Sequence, residues 1–76
     1  MKKLLELLES VRDDVDFENE TRLIDDGILD SFDIVSIVGE LCDTYNITIT
    51  VSDMEPKNFN SARAILALVE RLIDKM

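Results

Sequence analysis

Residues Ile28–Tyr45 read ILDSFDIVSIVGELCDTY, and the rest of the chain is arranged around them. Asp30 is a good N-cap residue, Asp33 adds charge to the first turn, and Ile34, Val35, Val38, Leu41, Cys42 and Tyr45 recur at helical spacing. The pattern predicts a helix that starts near Ser31 and buries this stripe. Ser31 then stands where free backbone N–H groups and the positive end of the helix dipole face solvent, a setting that favours a phosphate ester.

Nothing nearby makes Ser31 a catalytic nucleophile. The chain has no His, which excludes a Ser-His-Asp arrangement, and the nearest basic residue in sequence is Arg22. Any group on Ser31 must be placed there by another protein. With no buried acid-base pair and no metal set in the pattern, no catalytic or metal-binding residue is assigned, and an enzyme is the least favoured class.

The bulk properties point the same way. A chain of 76 residues, 46% of them hydrophobic, fits one domain spanning residues 1–76. Such a chain buries only about 60% of its unfolded surface, too little to enclose a deep substrate cavity. The formal net charge of −9 argues against nucleic acid and for partners with basic surfaces. Cys42, the one cysteine, lies on the apolar stripe, where it reads as a small buried hydrophobe in a reducing, cytoplasmic setting. In MKKLLELLES, Glu6 and Glu9 interrupt the apolar run, so this segment is expected to start a helix and to be neither signal peptide nor membrane span.

Upstream of Ser31, Leu4, Leu5, Leu7, Leu8, Val11 and Val15 predict an amphipathic helix over residues 2–15. From Asp16 to Leu29 the periodicity stops, and Phe17, Leu23, Ile24, Ile28 and Leu29 anchor a long loop rich in turn formers. A calcium loop starting at Asp14 fails: Asn19 stands where the turn glycine belongs, and Asp25 where the closing Glu belongs. Gly27 instead supplies a backbone conformation that other residues resist.

Downstream, Ile47, Ile49 and Val51 alternate with polar residues, but one short strand without a partner makes no sheet. An extended connector dipping into the core is expected. A short helical turn over residues 52–58 follows, capped by Ser52 and limited by Pro56. Asn60 or Ser61 then caps a last helix whose stripe is Ala62, Ile65, Leu66, Val69, Leu72, Ile73 and Met76, with Arg63, Glu70, Arg71, Asp74 and Lys75 outward. The fold class is all-α: a small bundle of three long helices and one short one, its core including Leu5, Leu8, Val35, Val38, Leu41, Ile65, Val69 and Leu72. No repeat or interdomain linker interrupts it, so the chain reads as free-standing.

Asp25, Gly27, Leu29, Asp30, Ser31 and Phe32 spell D-x-G-x-L-D-S-F, which resembles the attachment motif of acyl carrier proteins. The likeness continues to the C-terminus, while Met1–Asp14 matches by pattern alone. The resemblance implies that a phosphopantetheinyl transferase esterifies Ser31 with 4′-phosphopantetheine from coenzyme A. The cofactor thiol would carry an acyl or aminoacyl group as a thioester between enzymes with basic docking surfaces. It implies that Asp30, besides capping, helps the transferase hold its metal ion, and that Asp33 aids recognition. A space between the helices that admits part of an acyl chain is also expected.

Phe32, Ser36, Ile37, Gly39, Glu40 and Asp43 fall mostly off the apolar stripe. The resemblance makes Phe32, Asp33, Ile37 and Glu40 the partner-docking residues. Ser36 and Gly39 depart from the pattern of fatty acid biosynthesis carriers, and Gly39 costs about 1 kcal/mol of helix propensity relative to Ala. Its presence points to close packing, a ligand channel or a specialised partner. The run Pro56–Ser61, PKNFNS, looks more like carriers of the D-alanyl or aminoacyl type, or those of dedicated biosynthetic clusters. A monomer suits such a shuttle. The rival reading is an acidic helical adaptor that docks basic proteins and carries nothing, which explains the charge but leaves Ser31 within D-S-F a coincidence.

Overall fold

Leu4, Leu7 and Leu8 lie on one side of the first helix, α1 (Lys2–Val11), and are buried, while Lys2, Lys3, Glu6 and Glu9 stay in solvent. The computed structural model describes residues 1–74, so Lys75 and Met76, expected on the last helix, lie outside the described residues. The second helix, α2, is Ser31–Tyr45; a four-residue helix, α3 (Pro56–Phe59), and α4 (Ala62–Asp74) complete the bundle. No strand occurs among the described residues. Helix α1 packs on both α2 and α4, α2 packs on α4, and α3 lies against α4.

The expected all-α bundle is present, with several local corrections. Helix α1 stops at Val11 and does not reach residue 15. Arg12 is extended (φ −139, ψ 108), its guanidinium engaged by Asp14 and Asp33. Continuing the helix would also set Asp13 and Asp14 at its negative end. Val15 still packs on the core, but from the loop.

On α2, Ile37 is completely buried, whereas Val35 is 64% exposed. At 3.6 residues per turn the two positions stand about 200° apart, so burying one exposes the other. The buried line runs through Ile37 and Leu41, flanked by the partly buried Ile34, Val38 and Tyr45. On α4, Leu68 takes a core place the pattern missed, and Ile73 is exposed.

Caps decide the remaining boundaries. Ser61 Oγ accepts from the Ala64 N–H at 3.0 Å and opens α4. Thr50, not Ser52, caps a 3₁₀ turn at Val51–Asp53 in a box with Asp53. Pro56 begins α3 instead of limiting a turn, because its missing N–H costs nothing in the first helical turn. Of the connector side chains, Ile47 is buried and Ile49 partly so, while Val51 points outward.

Candidate functional site

Ser31 is the first residue of α2 and is exposed. The turn holding it is closed by its neighbours: Asp30 Oδ1 accepts the Asp33 N–H at 2.9 Å, and Asp33 Oδ2 accepts the Asp30 N–H at 3.1 Å. This capping box satisfies one N–H of the helix start and leaves those of Ser31 and Phe32, as first-turn donors, without a partner inside the helix. The box is anionic. A helix N-terminus is worth about half a positive charge, less than either carboxylate. The electrostatics at Ser31 therefore depend on what compensates Asp30 and Asp33.

For Asp33 the compensation comes from Arg12, which it shares with Asp14. Its Nη1 donates to Asp33 Oδ2 at 2.6 Å and to the Ile28 carbonyl at 3.4 Å, while Nε and Nη2 donate to Asp14 at 2.8 and 2.9 Å. Asp14 first and Asp33 second raise the pKa of the guanidinium, and the Arg12–Asp14 bond, helped by a backbone hydrogen bond, holds the Asp14 carboxyl below its ordinary range.

The loop that delivers the chain to Ser31 is pinned by backbone bonds. Gly27 takes φ +69, a left-handed conformation, as its N–H donates to the Ile24 carbonyl, and Leu29 N–H returns to the Leu23 carbonyl at 3.0 Å. Buried Phe17, Leu23 and Leu29 are its apolar anchors. Asn60, between α3 and α4, accepts the N–H groups of Ile24 and Asp25 on Oδ1 at 3.0 and 3.1 Å, and that of Leu23 on its carbonyl at 2.9 Å.

Beyond Ser31, the outer face of α2 presents Phe32, 81% exposed, and Val35, followed by Ser36, Gly39, Glu40 and Asp43. The helix has no basic residue. Two of the expected docking residues are not available there. Ile37 is buried in the core, and Asp33, its side chain 13% exposed, is committed to Arg12 and the Asp30 N–H. A Cβ on Gly39 would meet nothing within 4 Å, so close packing is not its purpose. Pattern reading missed Val35, which a periodic apolar sequence disguises as core, and Asn60, which carries no local signal for its distant bonds. Arg12 had only the acidic residues beside it as a hint.

Of two surface recesses, one reaches the first turns of α2. The smaller, about 80 Å³, is lined by Ile24, Ile34, Met54, Glu55, Pro56 and Phe59, and Ile34 lies one turn along α2 from Ser31. The larger, about 410 Å³, lies between the start of α1, residues 17–21 and Ser61–Arg63, and shares no lining residue with α2. No group of three or more potential metal ligands converges among the described residues, and none of the described helices is long and apolar enough to cross a membrane.

Comparison with known proteins gives a family. The model of the phosphopantetheine attachment site family matches residues 2–69. The D-alanyl carrier protein of Streptococcus suis (strain 05ZYH33) is 32% identical over 71 residues, covering 92% of this chain and 90% of the relative. That of Bacillus cereus (strain B4264) is 29% identical over 73 residues, covering 93% and 92%.

Proposed function

The chain belongs to the phosphopantetheine attachment site family, non-catalytic carriers that hold 4′-phosphopantetheine covalently, and on that footing we propose that Ser31 is its attachment point. The observation that carries this reading is the exposed Ser31 hydroxyl on the first turn of α2, held open by the Asp30–Asp33 box. The residues present fit the group: Ser31 and Phe32 are exposed, and their first-turn N–H groups, having no acceptor within the helix, are available to phosphate oxygens. A bond forms from Ser31 Oγ to phosphorus as the pyrophosphate bond of coenzyme A breaks. The nucleotide half leaves, and the hydroxyl proton passes to the phosphopantetheinyl transferase.

When bound, the cofactor supplies the thiol that carries cargo as a thioester. The chain's own contribution is presentation. Asp30 keeps Ser31 at the helix start and offers its exposed side to the transferase. Phe32 and Val35 make an apolar docking strip with Glu40 and Asp43 further along, which suits a partner with an apolar socket and a basic rim. In this reading residues 1–76 act as one monomeric carrier domain in the cytoplasm.

The cargo in this proposal is a small aminoacyl group of the D-alanyl kind, the group named in the relatives. The recess that includes Ile34, one turn along α2 from Ser31, holds about 80 Å³, which suits a short group better than a long acyl chain. The test is loading. Holo-protein incubated with ATP, D-alanine and a D-alanine-activating ligase is expected to gain an aminoacyl mass that neutral hydroxylamine removes, and Ser31→Ala is expected to gain none. Loading by a long-chain fatty acid ligase with none by D-alanine would reverse the cargo assignment.

A further inference from the structure

Arg12 joins three segments at the start of α2. Through Nη1 it holds Asp33 of the capping box and reaches the Ile28 carbonyl on the segment entering Ser31, and through Nε and Nη2 it grips Asp14. The Asp33 oxygen that it binds is also the one that accepts the Asp30 N–H. Ser31 lies between the two box residues, so a single guanidinium fixes both the backbone and the charge around it. A planar fork with several donors is suited to such a junction, and a lysine offers only a point charge. The Asp33 contact is the sheltered one, with 13% of that side chain exposed against 64% for Asp14, so solvent screens it less. The remaining described ion pairs belong to Arg22 and Lys57, which pair with Asp26 and Glu55.

Resting on the attachment at Ser31 proposed above, we infer that Arg12 is a positioning residue for that modification. It holds the Asp30–Asp33 box in place and offsets carboxylate charge beside the incoming phosphate. Removing it leaves the Asp30 and Asp33 carboxylates facing a helix end worth about half a charge, with Asp14 also stripped of its cation, a setting that opposes a further anion.

The experiment compares wild type with Arg12→Gln, Arg12→Lys and Asp14→Asn in two readouts. The first is the transferase rate with saturating coenzyme A and magnesium, resolved into kcat and KM for the carrier. The second is amide hydrogen exchange at Asp33 and Ile34 in the unmodified protein. For Arg12→Gln the expected outcome is a KM raised about tenfold and exchange at Asp33 accelerated by a similar factor, since a sheltered charge-assisted bond is lost locally. Arg12→Lys recovers part of both, and Asp14→Asn stays near wild type. Wild-type KM and exchange in Arg12→Gln overturn the inference, as does Asp14→Asn doing equal damage. If Arg12→Gln does not fold, wild-type KM and exchange in Arg12→Lys overturn it instead, because lysine cannot span the three contacts. A wild-type chain that accepts no phosphopantetheine removes the attachment reading, and exchange at Asp33 then decides separately whether Arg12 holds the box.

Discussion

The side-chain carbonyl of Asn60 accepts the backbone N–H of Ile24 at 3.0 Å, tying the loop before Ser31 to the junction of α3 and α4. The same oxygen takes the Asp25 N–H at 3.1 Å. Asn60→Ala strips both donors of their partner, and the Ile24 group is partly buried. A loss of about 1–3 kcal/mol is expected, read as a lower urea midpoint with an unchanged slope. An unchanged midpoint would mean that water replaces Asn60 at no cost.

The two faces of α2 separate stability from docking. Ile37→Ala removes a fully buried side chain and is expected to cost about 2–5 kcal/mol, a large share of a small domain's stability. Val35→Ala, on the opposite face, is expected to stay within about 0.5 kcal/mol while weakening partner binding. Urea denaturation of both variants, with partner titration of the second, checks the assignment.

The two glycines should respond in opposite directions. Gly39 sits in α2 with open space around it, so Gly39→Ala is expected to raise stability by up to about 1 kcal/mol. Gly27 has φ +69, and an alanine there meets backbone strain of about 1–2 kcal/mol despite the open space. Thermal melts of the pair test this; a stabilising Gly27→Ala would contradict it.

Tyr45 is the only tyrosine, so its phenol can be titrated by ultraviolet absorbance without interference. Burial raises its pKa above the ordinary 10.0, although Lys3 Nζ lies 5.0 Å from the ring centroid. A raised folded pKa means the stabilising contribution is fully present below the unfolded value and fades as pH rises through the folded one. The titration midpoint of the native chain is therefore expected above that of the urea-unfolded chain. At the acid end the sign reverses: Asp14, with its carboxyl held low chiefly by Arg12, contributes above its ordinary 3.8, and the contribution is lost as pH falls further.

What local chemistry determines was legible in the residues. Asp30 as a cap, a capping residue at 60 or 61 before α4, Gly27 in its turn and the apolar anchors of the loop all follow from neighbours a few positions away, and the structure gives that cap to Ser61. The face that α2 buries was not. Apolar residues at 34, 35, 37, 38, 41, 42 and 45 satisfy helical spacing along two overlapping stripes, and packing on α1 and α4 chooses between them. Arg12 with Asp33 and Asn60 with Ile24 bridge 21 and 36 positions, distances at which no spacing rule operates. Phe32 was placed correctly on the outer face because it lies off both stripes.

Attachment at Ser31 comes down to one oxygen atom, whose modification intact-protein mass spectrometry reads as a mass gain. The chain and its Ser31→Ala variant are incubated with coenzyme A, magnesium and a broad-specificity phosphopantetheinyl transferase, then digested and mapped. The expected result is a gain of roughly 340 Da, the phosphopantetheine group, on the peptide holding Ser31 and on no other, with none in the variant. No gain from a transferase that converts a known carrier in the same tube, or a gain on a peptide carrying Ser10, Ser36, Ser52 or Ser61 alone, would contradict the assignment.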